Sequence, residues 1–313
     1  MSVRGAAEVI FSPPVQNWLK RAIYRHNCRL SPDHYRSALK HWYWLFKCRP
    51  CHVEEPRTMT EKIHWLKLYD STPLKGRLAD KYLVRQWVAG KVGEKYLVPL
   101  LGVWDSPDEI DFDVLPHSFV LKATHGSGWN ILVPDKGALD EEGARRRLRE
   151  WLGLRQAMKG GFELHYEYCE PRIVCEPFLR DASGGLRDYK FMVFDGVVQF
   201  IFTVDRSPGR TLRGTYLPDW TRAPFEYTCE ADRAPDIPAP AGLETMLSLA
   251  GKLGKGFACA RVDFYEVDGN VYFGEITFTD ADGLSDFAPS CYDRVFGDRI
   301  VLPEKKSFKG VML

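Results

Sequence analysis

Residues 258–283, ACARVDFYEVDGNVYFGEITFTDADG, place an arginine and an aspartate on one expected strand and a glutamate and a threonine on the next. Side chains alternate between the two faces of a strand. Arg261 and Asp263 therefore share one face, as do Glu275 and Thr277. The turn decides whether those faces coincide. A two-residue Asp268-Gly269 loop pairs Asp263 with Gly274 and sends Glu275 to the other side. An odd loop centred on Gly269, with Asn270 in the left-handed region, pairs Asp263 with Glu275 instead. In that second case two carboxylates lie side by side, with Arg261 and Thr277 in the next row. Like charges that close need a cation to stay ionised, and magnesium carrying a nucleotide phosphate suits the oxygen donors. The alternative is a half-buried hairpin whose polar face is simply wet.

Upstream, SFVLKATHGSGWN (118–130) reads as a short apolar strand ending in Lys122, then a loop with Gly126 and Gly128. Glycines let backbone amides approach an anion, and a lysine at a strand end supplies a point charge. The string is neither the Walker pattern nor the dinucleotide fingerprint. Ala79-Asp80-Lys81 opens an expected helical stretch, DKYLVRQWVAGKVG. Two lysines, a glycine loop and a carboxylate hairpin thus follow one another along the chain. Each has an ordinary reading too: Lys81 as a solvated helix residue, Glu176 and Lys190 on exposed strands, and Arg172, Asp205 and Arg206 as structural ion pairs.

Taken together, ADKYLVRQWV (79–88), YLVPLLGVWDSPDEIDFDVLP (96–116), FVLKATHGSGWN (119–130), PRIVCEPFL (171–179), RDYKFMVFDG (187–196) and RVDFYEVDGNVYFGEITFT (261–279) resemble the ATP-grasp superfamily, and within it the TupA-like amidoligase branch of teichuronopeptide synthesis. The resemblance spans about residues 58–300. It implies an α+β ATP-grasp fold, in which two α+β subdomains sandwich a nucleotide. It further implies Lys81 and Lys122 as phosphate contacts, and Gly126, Ser127 and Gly128 as the loop over the phosphates. Glu176, with Phe178 and Leu179, would be the strand that reads adenine. Asp263 and Glu275 would be magnesium ligands, and Thr277 stands where the ligases usually carry an asparagine. Arg261 would stabilise the transferring phosphoryl group, and Lys190, in the run Arg187-Asp188-Tyr189-Lys190, would contact phosphate or substrate. ATP and Mg2+ are the implied cofactors. The implied reaction is amide formation between a carboxylate and an amine through an acyl phosphate, the carboxylate being a uronic acid or similar group of a bacterial surface polysaccharide. Alternatives are a kinase of the same fold acting on a sugar or small-molecule hydroxyl, and a glycosyltransferase or non-catalytic partner in polysaccharide assembly.

Composition bounds these readings. A chain of 313 residues, 45% hydrophobic and 27% charged, is long enough for two packed subdomains, and its net charge of +1 argues against nucleic acid as a partner. No stretch approaches the ~20 apolar residues of a membrane span, and the first residues lack the apolar core of a signal peptide. Eight scattered cysteines fit reduced thiols, so a cytoplasmic protein is expected. Cys48-Arg49-Pro50-Cys51-His52 matches the haem-attachment string literally, but that chemistry belongs to exported proteins, and no second pair completes a zinc site.

Three regions are expected: a helical extension over 1–57, a smaller subdomain with linker helix and lid loop over 58–175, and a larger subdomain with the metal hairpin over 176–313. Residues 14–28 and 32–47 read as helices, the second capped by Ser31 with Pro32 in its first turn. The basic aromatic helix 32–47 either packs on its neighbour, the favoured reading, or contacts a membrane surface. Another helix starts at Thr58, with Glu61 completing a capping box. A helix over 140–158 should cover the smaller subdomain, and hairpins should form around Asp195-Gly196 and Gly269. Residues 206–242, rich in proline and arginine, read as an irregular insertion. There Arg210, Arg213 and Arg222 either face an acidic substrate or form a solvated loop.

Overall fold

The computed structural model describes residues 13–180, 186–207, 210–228 and 232–313; the first twelve residues of the expected extension and the side chains of Arg206 and Arg210 lie outside them. Eight helices occur among the described residues: α1 Pro13–Asn27, α2 Tyr35–Lys47, α3 Met59–Tyr69, α4 Pro73–Ala79, α5 Val84–Val92, α6 Glu141–Leu152, α7 Leu243–Gly254 and α8 Cys291–Arg299. The strands are β1 Gly102–Trp104, β2 Phe119–Ala123, β3 Asn130–Val133, β4 Ile173–Pro177, β5 Arg187–Phe194, β6 Val197–Ser207, β7 Arg210–Tyr216, β8 Glu226–Thr228, β9 Asp232–Arg233, β10 Ala260–Val267, β11 Asn270–Thr277 and β12 Asp286–Ala288. They form a four-stranded sheet ordered β1-β4-β2-β3, a six-stranded sheet ordered β11-β10-β5-β6-β7-β9, and a two-stranded β12-β8 ribbon.

Each sheet has one face committed to a core. In the smaller sheet Phe119, Leu121, Ile173 and Cys175 pack with Ala144 and Leu148 of α6. Strand alternation sends Val120, Lys122, Val174 and Glu176 to the opposite face. In the larger sheet Phe191, Val193, Val262, Phe264 and Ile276 pack with Met246, Leu249 and Leu253 of α7 and Val84 and Val88 of α5. Met192 on the reverse face joins Phe200 and Phe202 in a third core with α2, α3 and α8. The polar ends of β5, β10 and β11 lie on that reverse face.

Several expectations meet corrections here. Helix 140–158 is shorter than its pattern suggests: Asp140 caps its start, accepting from the Gly143 amide at 2.9 Å, and Gly153 closes it. A separate 3-10 turn covers Gln156–Met158. The DKYLVRQWVAGKVG helix begins at Val84 rather than Asp80, because Asp80 Oδ1 accepts from the amides of Tyr82 (2.8 Å) and Leu83 (2.9 Å) and holds the preceding residues as a turn. Residues 206–242 are irregular only in part: β7 pairs with β6 from Ile201↔Tyr216 to Ser207↔Arg210, and the short β8 and β9 follow, while 217–225 and 234–241 are mostly turns and irregular chain. Alternation along RTLRGTY outweighed the loop-like composition.

The capping box at Thr58 and Glu61 is present, and all of α3 except Lys62 is buried. What reads as a linker helix is a core element. Helix α2 follows a 3-10 turn at Pro32–His34, and Ser31 bonds the His34 ring rather than a backbone amide. Tyr35, Leu39 and Tyr43 of α2 are buried one above another, which packs this helix on the third core. Trp44 and Leu45 stay exposed. Cys48 takes a left-handed conformation (φ 50°) at the end of α2, and Cys51 is buried among apolar residues. No helix among the described residues is long and apolar enough to cross a membrane.

His165 is buried at 1% exposure, and its Nε2 has no hydrogen-bond partner among the described residues. Burial, with Lys75 and Lys67 adding repulsion, drops its pKa from 6.5 to about 3. A histidine held neutral this way contributes stability above about pH 6.5 that is lost as pH falls toward about 3, by about 1.4 kcal/mol per pH unit. Urea unfolding across that range should show His165→Phe with a shallower acid slope, by about one proton. Equal slopes in the two proteins would refute this account of His165.

Candidate active site

The hairpin β10-β11 turns through Asp268 (φ 49°) and Gly269 (φ 79°), and Val267 pairs with Asn270. This is the tight two-residue turn with both central residues left-handed. By itself it would separate the two acids. A β-bulge restores them: the register shifts between Asp263 and Phe264, Gly274 is the extra residue, and Asp263 pairs with Glu275. The paired acids expected from an odd loop therefore arise from a different device, and Asn270 lies in the strand. Glycine suits the bulge because a Cβ at 274 would come within 3.1 Å of the Tyr265 ring and 3.2 Å of the Asp263 carbonyl.

Lys190 pairs with Asp263 from the other side, so Lys190, Asp263 and Glu275 form one row across three strands, and Arg261 and Thr277 face each other in the next. Arg261 is the centre of the cluster. Its Nε and Nη2 donate to Asp263 at 2.7 and 2.8 Å, Nη2 also reaches Glu275 at 2.5 Å, and Nη1 donates to Asp280. Lys190 donates to Asp263 and lies 3.7 Å from Asp188. Thr277 Oγ1 donates to Glu275 at 3.0 Å. Asp280 also accepts from the Tyr227 hydroxyl at 2.5 Å.

Burial opposes charge throughout this cluster, and the balance between burial and neighbouring charges decides each outcome. For Asp263 burial dominates and raises the pKa in spite of Arg261 and Lys190. For Glu275 burial loses to Arg261, Lys190 and Lys81, and the pKa falls to about 2. For Arg261 burial is outweighed by Asp263, Asp280 and Glu275, which hold its pKa well above the usual value.

Lys81 sits on the turn that Asp80 fixes; its amide donates to the Thr124 carbonyl at 3.2 Å and its ammonium to the Gly126 carbonyl. Burial lowers its pKa first, after which Glu275 raises and Lys122 lowers it. This lysine thus feels both the carboxylate hairpin and the smaller sheet. In the loop between β2 and β3, Gly126 packs under Trp129, where a Cβ would lie 2.4 Å from the ring. Ser127 and Gly128 form the exposed tip, with Gly128 at φ 75°.

Lys122 donates to Glu176, and Arg85 approaches the same carboxylate at 3.7 Å. Phe178 and Leu179 follow half-exposed, and the Arg180 guanidinium lies 4.7 Å from the Phe178 ring centroid. Two groups of sequence-named residues therefore emerge, Lys190-Arg261-Asp263-Glu275-Thr277 and Lys122-Glu176, while Lys81, bonded to the glycine loop, feels the charges of Glu275 and Lys122. Arg222 is engaged elsewhere, donating to Glu226 at 3.0 Å and Asp236 at 3.4 Å. Arg187 pairs with Asp205 at 2.9 Å, and Arg172 with Asp105 at 3.0 Å.

The donor set suits a hard divalent cation. Glu275 keeps 37% side-chain exposure, whereas Asp263 at 2% is engaged by Arg261 and Lys190. Among the described residues no group of three or more His, Cys, Asp and Glu side chains forms a metal cage. Magnesium typically takes one or two carboxylates and completes its shell with phosphate and water, which these residues fit. Sequence reading missed Asp280 and Tyr227. The only signal was the string TDADG after β11, a small polar turn directly beyond the site.

Removing Arg261 would strand Asp263 and Asp280 in the interior. Arg261→Met should cost about 3–5 kcal/mol of stability in urea unfolding at neutral pH. A loss below about 1 kcal/mol would mean the cluster is solvated rather than buried.

A family model described as TupA-like ATPgrasp matches residues 61–301. No curated protein matches the chain. Similar solved structures include D-alanine–D-alanine ligase from Bacillus anthracis, at 19% identity and TM-score 0.40, covering 71% of this chain and 66% of that one. D-alanine–D-alanine ligase from Helicobacter pylori matches at 15% identity and TM-score 0.38, covering 73% and 60%. D-cycloserine synthetase DcsG matches at 16% identity and TM-score 0.36, covering 73% and 72%. The chain thus spans just under two thirds of the first of these structures.

Proposed function

The chain belongs to the TupA-like ATP-grasp family, and from that premise we propose that it is an ATP-dependent ligase joining a carboxylate to an amine. The observation that carries this reading is the row Lys190-Asp263-Glu275 with Arg261 beside it, electrostatically coupled to Lys81. Paired acids ringed by three cations are what a triphosphate and its metal require: ligands for the metal and counter-charge for phosphoryl oxygens. In this reading the four-stranded and six-stranded sheets are the two leaves around the nucleotide, with the chain divided into 1–57, 58–175 and 176–313 except that Glu176 and Pro177 complete β4 of the smaller sheet.

Asp263, Glu275 and Thr277 would hold Mg2+, which would supply counter-charge to the phosphates. Lys81 and Lys122 bind phosphate oxygens, Gly126, Ser127 and Gly128 cover them, and Glu176 with Phe178 and Leu179 faces the base. A carboxylate is a poor acyl donor because oxide would have to leave. Its oxygen therefore attacks the γ-phosphorus of ATP, the bridging bond breaks, and ADP departs. The amine nitrogen then attacks the acyl carbon, the carbon-oxygen bond breaks, and phosphate leaves as the nitrogen loses a proton. Arg261 and Lys190 offset charge on the phosphoryl oxygens, and the lid excludes water. The carboxylate we favour is a uronic acid or similar group of a bacterial polysaccharide, handled in the cytoplasm, and the exposed Trp44 and Leu45 of the basic helix α2 are where peripheral membrane contact within residues 32–47 would occur.

An ATPase assay with Mg2+ across a panel of uronic acids and amino acids tests the reading. ADP release should require both a carboxylate and an amine, and Glu275→Gln should reduce it by at least about 100-fold. Full activity in that variant would remove Glu275 from the metal site. ADP release with a hydroxyl acceptor and no amine would favour a kinase.

A further inference from the structure

Beyond β11 the chain makes a tight turn, Thr279-Asp280-Ala281-Asp282-Gly283, with three consecutive left-handed residues: Ala281 (φ 47°), Asp282 (φ 60°) and Gly283 (φ 73°). Alanine and aspartate rarely adopt that conformation, and it persists only where the surroundings impose it. Here they do so from three sides. Thr279 donates to Glu163, which also accepts from Gln156 Nε2 at 2.8 Å. Asp282 is clamped from the N-terminal side: the Trp42 indole N–H and the Gly161 amide each donate to its Oδ2 at 2.9 Å, and the buried Lys67 ammonium donates to Oδ1. Asp280 points the other way, to Arg261 Nη1 and the Tyr227 hydroxyl, with Ser285 Oγ at 3.4 Å.

Of the three carboxylates around Arg261, two are the candidate metal ligands and the third is Asp280. A metal taking up Asp263 and Glu275 would deprive the guanidinium of two partners at once. Asp280 sits off the hairpin at 6% exposure and its other bonds are to protein hydroxyls. We propose that Asp280, carried on this over-determined turn, is the positioning residue that keeps Arg261 aimed at the site when Asp263 and Glu275 are given over to a metal. The proposal rests on the ligase reading only for what Arg261 does there, not for the contact itself.

The contact can be read without turnover. Rotation about the Nε–Cζ bond of Arg261 is measurable by 15N exchange NMR, with the resonance identified by its loss in Arg261→Lys. Asp280→Asn should speed that rotation about tenfold or more, since it removes a charge-assisted hydrogen bond, and Asp280→Glu should restore most of the restraint. The difference should persist in saturating Mg-ADP, where Asp280 is the remaining partner. In the ATPase assay Asp280→Asn should lower kcat by about 100-fold, the scale of a slightly misplaced reacting group, while the KM for ATP moves by less than about threefold. Should Asp280→Asn fail to fold, Tyr227→Phe, which frees Asp280 on one side, should still quicken the rotation. Unchanged rotation in whichever of these variants folds, with or without Mg-ADP, overturns the proposal. A wild type that never turns over ATP would count against the ligase reading, and the NMR comparison would still decide the role of Asp280.

Discussion

One buried guanidinium surrounded by carboxylates organises the polar half of this protein. Arg261 at the start of β10 touches Asp263 on its own strand, Glu275 on the next and Asp280 beyond it. The buried charges of Arg261, Asp263 and Asp280 would not be tolerable alone in that position, because taking an ion out of water costs several kcal/mol unless partners replace the lost hydration. The cluster exists as a set, and the sheet must deliver all its members to one place. Strand alternation, a bulge at Gly274 and the turn after β11 do so. The apolar reverse of the same strands packs on α7 and α5, so a register slip that dispersed the charges would also expose the core.

Much of this was legible from the chain. Alternation told which residues share a face, and the order of lysines, glycine loop and acidic hairpin pointed to a nucleotide fold before any geometry was known. The device that unites Asp263 with Glu275 was not legible. A bulge is invisible to periodicity, since it consists of one residue out of step, and Asp-Gly argued by itself for the wrong pairing. Asp280 escaped for a related reason: its role depends on a turn whose shape is set by Trp42 and Lys67, far away in sequence. Local propensity carries no record of partners more than two hundred residues distant.

The amino-terminal helices illustrate the same limit at larger scale. Composition suggested an appendage, basic and aromatic. Packing of helix 32–47 on its neighbour was the favoured reading, and Tyr35, Leu39 and Tyr43 do enter the same core as α3 and as Phe200 and Phe202 of the large sheet, a partnership that composition could not specify. The family match begins at residue 61, yet Trp42 hydrogen-bonds the turn next to the site. Segments outside the shared pattern thus help define the geometry of residues within it.

The contact between Lys122 and Glu176 gives the smaller sheet a built-in threshold. With no anion near, each neutralises the other, and both are mostly shielded. A ligand that draws Lys122 away leaves Glu176 with only the more distant Arg85 at 3.7 Å. A molecule that also offers a hydrogen-bond donor to Glu176 compensates both halves, so occupancy at one end is conditional on chemistry at the other. If Lys122 and Glu176 meet the nucleotide as proposed, the pair would act as a coincidence detector, favouring a phosphate joined to a donor-bearing ring over bare phosphate.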